Sequence, residues 1–367
     1  MSTAPARGTF TRHLAIGDPQ APLEKFLGVL AAHRALGGDG MLTPDVFLVS
    51  MGDHFDWGKR DQREKAAADG TALLAWLAAH PPDQVALILG NHDLGRVGEL
   101  VRFDDRTFSV ARSEADVIYQ DGKPSTDGAL EARFRLLPPE LPTTEIASRD
   151  FSTFAAAQRH LVEKLLRAKR FRIAFAASPR LLLCHAGVTD DELDALGVSA
   201  LARLDAMLVA EALNASLDAE VAVWDGASPL VLDALHQPGS AASGEGRGMF
   251  YHRPSNPAFE DASLFEGPPR RRFDPRRLPR GLVQAIGHIR DGKCRTLLRD
   301  WHDGTPAVDG PLRHLVTDGA DVHYARGVPP RWEKKLAGMI FLDGGMSHVE
   351  PSVYELLDLT TCLPAAR

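Results

Sequence analysis

Five short apolar runs in this chain end alike, in an acidic, amide or imidazole side chain with a glycine within two residues of it. The clearest is Phe47-Leu-Val-Ser-Met-Gly-Asp53-His-Phe-Asp56-Trp-Gly58, an apolar run that opens into a polar loop. His13-Leu-Ala-Ile-Gly-Asp18-Pro-Gln20 precedes it, and Val85-Ala-Leu-Ile-Leu-Gly-Asn91-His92-Asp93 follows. Leu181-Leu-Leu-Cys-His185-Ala-Gly187 and Leu282-Val-Gln-Ala-Ile-Gly-His288 come much later. Short apolar runs bounded by turn residues read as strands buried on both faces. Open α/β sheets place their ligands at the carboxyl ends of such strands. The pattern therefore predicts an α/β fold with Asp18, Gln20, Asp53, Asn91, His185 and His288 gathered at strand tips. Hard oxygens and imidazoles of this kind bind divalent metals.

Between the runs, Leu23 to Leu36 and Gln62 to His80 have helical spacing, which gives a β-α-β-α-β order and a largely parallel sheet. Residues 1–12 are expected to be a frayed arm. The span of about 99–180 reads as a helical insertion on one metal-binding domain covering 1–367, with Phe151 to Arg170 as a long basic helix. Residues 225–281 are rich in Gly, Ser, Pro and Arg and read as a long irregular loop or lid. Strands are expected at Leu282, around Cys294–Leu298, at Met339–Asp343 and at Tyr354–Leu359.

Composition narrows the function classes. A net charge of −7 makes nucleic acid an unlikely partner. Three scattered cysteines give neither a disulfide framework nor a zinc ribbon. No apolar run approaches membrane-spanning length and no leader is evident, so a cytoplasmic protein without a membrane partner is expected. The run from Pro268 to Arg280 holds six arginines and reads as a solvated linker.

The chemistry follows from the ligand types. The two oxygens of Asp53 can each serve one cation, with Asp18 and Gln20 on the first ion and Asn91, His185 and His288 on the second. Two metals so placed grip a phosphate, generate a bridging hydroxide and steady an in-line displacement. His92, next to Asn91, suits a general acid, and Asp56 is the natural group to orient it.

These blocks resemble the calcineurin-like metallophosphoesterases: Gly17-Asp18-Pro-Gln20, Gly52-Asp53-His-Phe-Asp56-Trp-Gly58, Gly90-Asn91-His92-Asp93, His185-Ala-Gly187 and Gly287-His288 occur in that family's order. The His-Ala-Gly form is similar to the phosphoprotein phosphatase branch, which includes serine/threonine phosphatases, bacterial relatives and diadenosine tetraphosphatases. The resemblance implies a four-layer α/β/β/α sandwich with a dimetal site, acting on a phosphorylated protein or small molecule. Asp343-Gly-Gly-Met346 is similar to the branch's last core strand. Two positions depart from the family. Gln20 stands where it usually has histidine, which favours Mn²⁺ or Mg²⁺ over Zn²⁺, with iron also admissible. Trp57 stands where the branch usually has a phosphate-gripping arginine, so Arg253, Arg96 and Arg290 become the candidates for that task, with Trp57 free to stack on a substrate base. Phosphomonoester hydrolysis is the leading expectation. A nucleotide phosphodiester or dinucleoside polyphosphate hydrolase is the alternative, and a non-catalytic phosphate-binding protein the third.

Overall fold

The computed structural model describes residues 10–120 and 128–367. Most of the arm expected at residues 1–12 therefore lies outside the described residues, while Arg12 already belongs to the first strand.

Two six-stranded sheets face each other. In the first, Arg12–Ile16, Val46–Ser50, Val85–Ile88 and Phe171–Arg172 run parallel in that order. Leu357–Asp358 and then Leu363–Pro364 close its other edge antiparallel. In the second, Leu181–Cys184, Val283–Ile286 and Ala337–Phe341 are parallel. Antiparallel strands Ala174–Ser178 and Arg313–Thr317 flank them, with Val322–Arg326 outermost.

Alternation along each strand sorts its side chains into two cores. Ala15, Phe47, Val49, Met51 and Ile88 from the first sheet meet Leu181, Leu183, Val283, Ala285 and Ile340 from the second, forming the layer between the sheets. Their neighbours Leu14, Ile16, Leu48, Leu87, Leu182, Ile286, Met339 and Phe341 point the other way. There they join Phe26, Leu73, Leu77, Val162 and Leu165 from helices Leu23–Ala32, Arg63–Ala79 and Ala156–Arg167, and Leu213 and Leu217 from Ala206–Val223. The result is the α/β/β/α sandwich. Apolar side chains on both faces explain why the strands read as unbroken apolar runs.

Leu100, Phe108, Phe134, Ile146, Phe151 and Phe154 form a third cluster, centred on helices Asp105–Ile118 and Gly128–Phe134. Three expectations are corrected here. Cys294–Leu298 is the end of a helix, Asp291–Leu298, because Cys294, Leu297 and Leu298 are buried at helical spacing. The basic helix begins at Ala156 rather than Phe151, and the chain rejoins the sheets at Phe171 rather than Leu181. The hairpin Arg313–Thr317/Val322–Arg326 was not foreseen, although Asp318-Gly319 between the strands is a hairpin signal. Residues 225–281 carry only two-residue ladders and 3₁₀ turns, yet Leu230, Leu235, Met249, Phe250 and Phe273 belong to the main core. These side chains anchor the segment to the main core.

Candidate metal centre

Parallel strands bring their carboxyl ends to one edge of each sheet, and the two edges touch. A Cβ on Gly17 would lie 2.1 Å from the Leu342 carbonyl oxygen, and one on Gly287 1.9 Å from Asp18 Oδ1. Asp53, Asp56 and His288 all adopt left-handed backbone, with φ of 57°, 65° and 66°. Such conformations in residues other than glycine concentrate where side chains must be aimed. Asp93 locks the turn around Asp53: it accepts hydrogen bonds from the main-chain N–H groups of Gly90 (2.9 Å), Asp53 (3.0 Å) and His54 (3.2 Å). His54, buried, bridges Asp93 and the Ser50 hydroxyl.

Into this frame the fold brings donor atoms of Asp53, His185 and His288, all within 4.8 Å of one another. His185 Nδ1 lies 2.8 Å from the Met51 carbonyl and must carry the proton to donate there. That leaves the lone pair of Nε2 facing Asn91 Oδ1 at 3.0 Å and Asp53 Oδ2 at 3.4 Å. His288 mirrors it: Nε2 donates to the Tyr251 carbonyl at 3.1 Å, and Nδ1 faces Asn91 Oδ1 at 2.9 Å. Two imidazole lone pairs, an amide oxygen and a carboxylate converging on one spot are the ligand set of a divalent cation. The protein's own charges only partly reconcile them. Burial opposes the charged form of His185, but Asp53 outweighs it and raises the pKa, whereas burial drives His288 well below its ordinary value. Burial likewise raises Asp53, yet His185 and His92 pull its carboxyl well below the usual range.

Asp18 is the other half of the centre. Its Oδ2 accepts the His288 N–H at 2.8 Å, while buried Oδ1 has no partner. Burial, and then the nearby Asp343 and Asp53, raise its pKa well above the ordinary carboxylate value. A buried acid with one oxygen unpartnered, beside two other acids, fits a cation site. Gln20 is half-buried on the same loop. Asp343, which follows the Ala337–Phe341 strand, is a buried acid that acts on Asp18 although the two are far apart in the chain.

His92 stands beside the centre with Nδ1 2.8 Å from Asp56 Oδ2 and Nε2 3.9 Å from Asp53 Oδ2. Its main-chain N–H donates to Asp53 Oδ1 at 2.8 Å. Burial opposes the imidazolium, but Asp53 and Asp56 prevail and raise the pKa to about 9. Burial also works against ionised Asp56, yet Arg96 and His92 bring it down to about 2. Its other oxygen accepts from Thr153 N–H (3.2 Å) and Oγ1 (2.6 Å).

The expected phosphate-gripping residues are placed unequally. Arg96 is fully buried, and Asp56 (2.6 Å), the His92 carbonyl (3.1 Å) and Gln158 accept from its donors. Trp57, expected to be free to stack on a substrate base, is 7% exposed with Lys65 over its ring. Arg253 is partly exposed and 3.5 Å from Glu245. Arg290 is more open, 3.8 Å from Asp309. The arginine run is not a solvated linker either. Arg270 is buried against Asp191, Thr189 and Glu192, Arg277 also meets Asp191, and Arg276 pairs with Asp274.

No curated protein matches the sequence. Among solved structures, the cold-active protein-tyrosine phosphatase of the psychrophile Shewanella sp. aligns at 13% identity and a TM-score of 0.38, covering 95% of this chain and 75% of that one. A further structure of a cold-active protein tyrosine phosphatase gives 13% identity and a TM-score of 0.36, over 95% and 73%. Likeness of that degree decides neither fold nor chemistry. The model of the calcineurin-like phosphoesterase family matches residues 11–202, more than half of the chain, and that span contains the blocks at Asp18, Asp53, Asn91 and His185. Described residues show no helix long and apolar enough to cross a membrane. The chain belongs to the calcineurin-like phosphoesterase family, hydrolases of phosphoric esters that use divalent metals.

Proposed function

We propose that this protein is a dimetal-dependent phosphomonoesterase acting on a phosphoprotein or a small phosphate. Asp18, Gln20 and Asp53 hold one cation, and Asp53, Asn91, His185 and His288 hold the other. The observation that carries the reading is the convergence of Asp53, His185 and His288 donors within 4.8 Å, beside the buried, unpartnered Asp18. Bound cations would supply the charge that grips phosphoryl oxygens and acidifies a water. His92, held through Nδ1 by Asp56, presents Nε2 toward the centre and donates its proton to the leaving oxygen. Asp56 can stay ionised in that duty because Arg96 and Thr153 bind it on its remaining sides. Arg253, on the rim and in electrostatic reach of His288, takes the substrate phosphate.

Oxygen donors dominate the Asp18 side, which favours Mn²⁺. Free cysteines among the described residues suit the reducing cytoplasm. A buried Trp57 with Lys65 over its ring offers little face for a substrate base, which supports the monoester reading over a nucleotide one. The test strips the protein with a chelator, restores Mn²⁺, Mg²⁺ or Zn²⁺, and compares an aryl phosphate, a diaryl phosphate and a dinucleoside polyphosphate. Mn²⁺ should restore turnover, fastest on the monoester. A higher kcat/KM on either other substrate replaces the substrate class, and no turnover with any divalent ion leaves a phosphate-binding protein.

A further inference from the structure

Gln20 raises a question of charge. A family position usually filled by imidazole carries a neutral amide here, and an amide oxygen binds a divalent ion more weakly. Yet the Asp18 side of the centre holds more negative charge than the motifs account for. Asp343 follows the Ala337–Phe341 strand, next to the strand that delivers His288. The Leu342 N–H donates to the Ile286 carbonyl at 2.7 Å, and the Leu342 carbonyl abuts Gly17. The residues after these three positions are therefore neighbours: Asp343, the Gly287-His288 pair and Asp18. Asp343 is buried, and its Oδ1 accepts the Gly345 N–H at 2.9 Å. Its Oδ2 accepts no hydrogen bond among the described residues. Asp18 Oδ1, also buried, has none either. Asp343 acts electrostatically on Asp18, and Asp53 acts on both. Arg313, buried on the adjoining strand, offsets part of the charge on Asp343, and among the described residues its guanidinium donates only to the Ile289 carbonyl, at 3.2 Å. Three buried carboxylates that act on one another are costly unless a cation joins them.

Building on the dimetal reading, we infer that Asp343 belongs to the binding site of the cation held by Asp18 and Gln20, supplying the donor strength that Gln20 lacks. This makes the first site rich in hard oxygen and selects Mn²⁺ or Mg²⁺ over Zn²⁺.

The test is calorimetric titration of chelator-stripped protein with Mn²⁺ alone, with bound metal counted after dialysis. The unaltered chain should take up two ions. Asp343→Asn should weaken one of them by about 10–100-fold and leave the other unchanged. In that background, Gln20→His should restore the lost affinity and shift preference toward Zn²⁺. Asp343→Glu keeps the charge facing Arg313 and so guards against misfolding; its displaced carboxylate should weaken the same ion by roughly tenfold at most. Two ions bound with unaltered affinity in both Asp343 variants would overturn the inference, as would loss of both ions from a folded Asp343→Asn protein. If the unaltered chain takes up no Mn²⁺, the dimetal reading itself is what has failed.

Discussion

The two halves of the centre are built on opposite terms. Around Asp53, Asp56 and His92, nearly every polar atom is met by the protein: Asp93 holds the Asp53 turn, and Arg96, Thr153 and His92 surround Asp56. Around Asp18, Gln20 and Asp343, a buried oxygen has no partner and the acids face one another. The first half is preorganised by the fold. The second is completed only by something positive. Reaction geometry should therefore reside in the first half, and dependence on metal concentration in the second.

His92 offers the hardest test of that division. His92→Asn should reduce kcat by roughly 10²–10⁴ for substrates with poor leaving groups and by much less for aryl phosphates. Metal content should not change, because Asp56 and not a cation holds its Nδ1. Metal loss on dialysis of this variant would make His92 a ligand and erase the distinction between the halves.

Arg96 tests whether the first half is truly self-sufficient. Its removal leaves Asp56 and Gln158 buried without their main partner. Arg96→Met should destabilise the chelator-treated protein by about 3–5 kcal/mol, the range expected for breaking a buried ion pair from one side. Denaturant midpoints close to those of the unaltered protein would show that Asp56 is held by other means.

The division also sets what could be read from the chain alone. Strand tips were legible because the strands are buried on both faces and most stop at a glycine, as Gly90 must, where a Cβ would stand 2.2 Å from Asp53 Oδ1. The packing partners of charged residues were not legible. Arg96 looked like a substrate ligand since nothing local reveals Asp56 and Gln158 closing on it, and Pro268 to Arg280 looked solvated since Asp191 and Glu192 are remote in sequence. Asp343 escaped for the same reason: an acid after a strand gains meaning only once Asp18 is known to lie beside it. The Cys294 segment failed differently, because a run that short fits a strand or a helix turn until burial decides.

Glu99 sharpens the comparison from outside the centre, as an unsatisfied buried acid with a different remedy. Its Oε1 accepts from the Gly239 N–H (2.7 Å) and the Tyr251 hydroxyl (3.0 Å), while Oε2 is buried without a partner. Burial raises its pKa from 4.5 to about 7. A proton can do for Glu99 what a cation does for Asp18. The sign follows from the shift: the folded state holds this proton more tightly than the unfolded chain. Its contribution to stability is complete below about pH 4.5 and is lost as pH rises toward about 7. The whole contribution is on the order of 3 kcal/mol at most. Glu99→Gln cannot titrate, so its stability relative to the unaltered protein should improve steadily across that window, whatever constant offset the amide introduces. Urea midpoints of the two chelator-treated proteins, taken from pH 5 to pH 8, read this directly. Parallel profiles would mean that Glu99 is ionised throughout, and that a buried acid in this fold can be tolerated with neither proton nor metal, which would also weaken the case that Asp18 needs one.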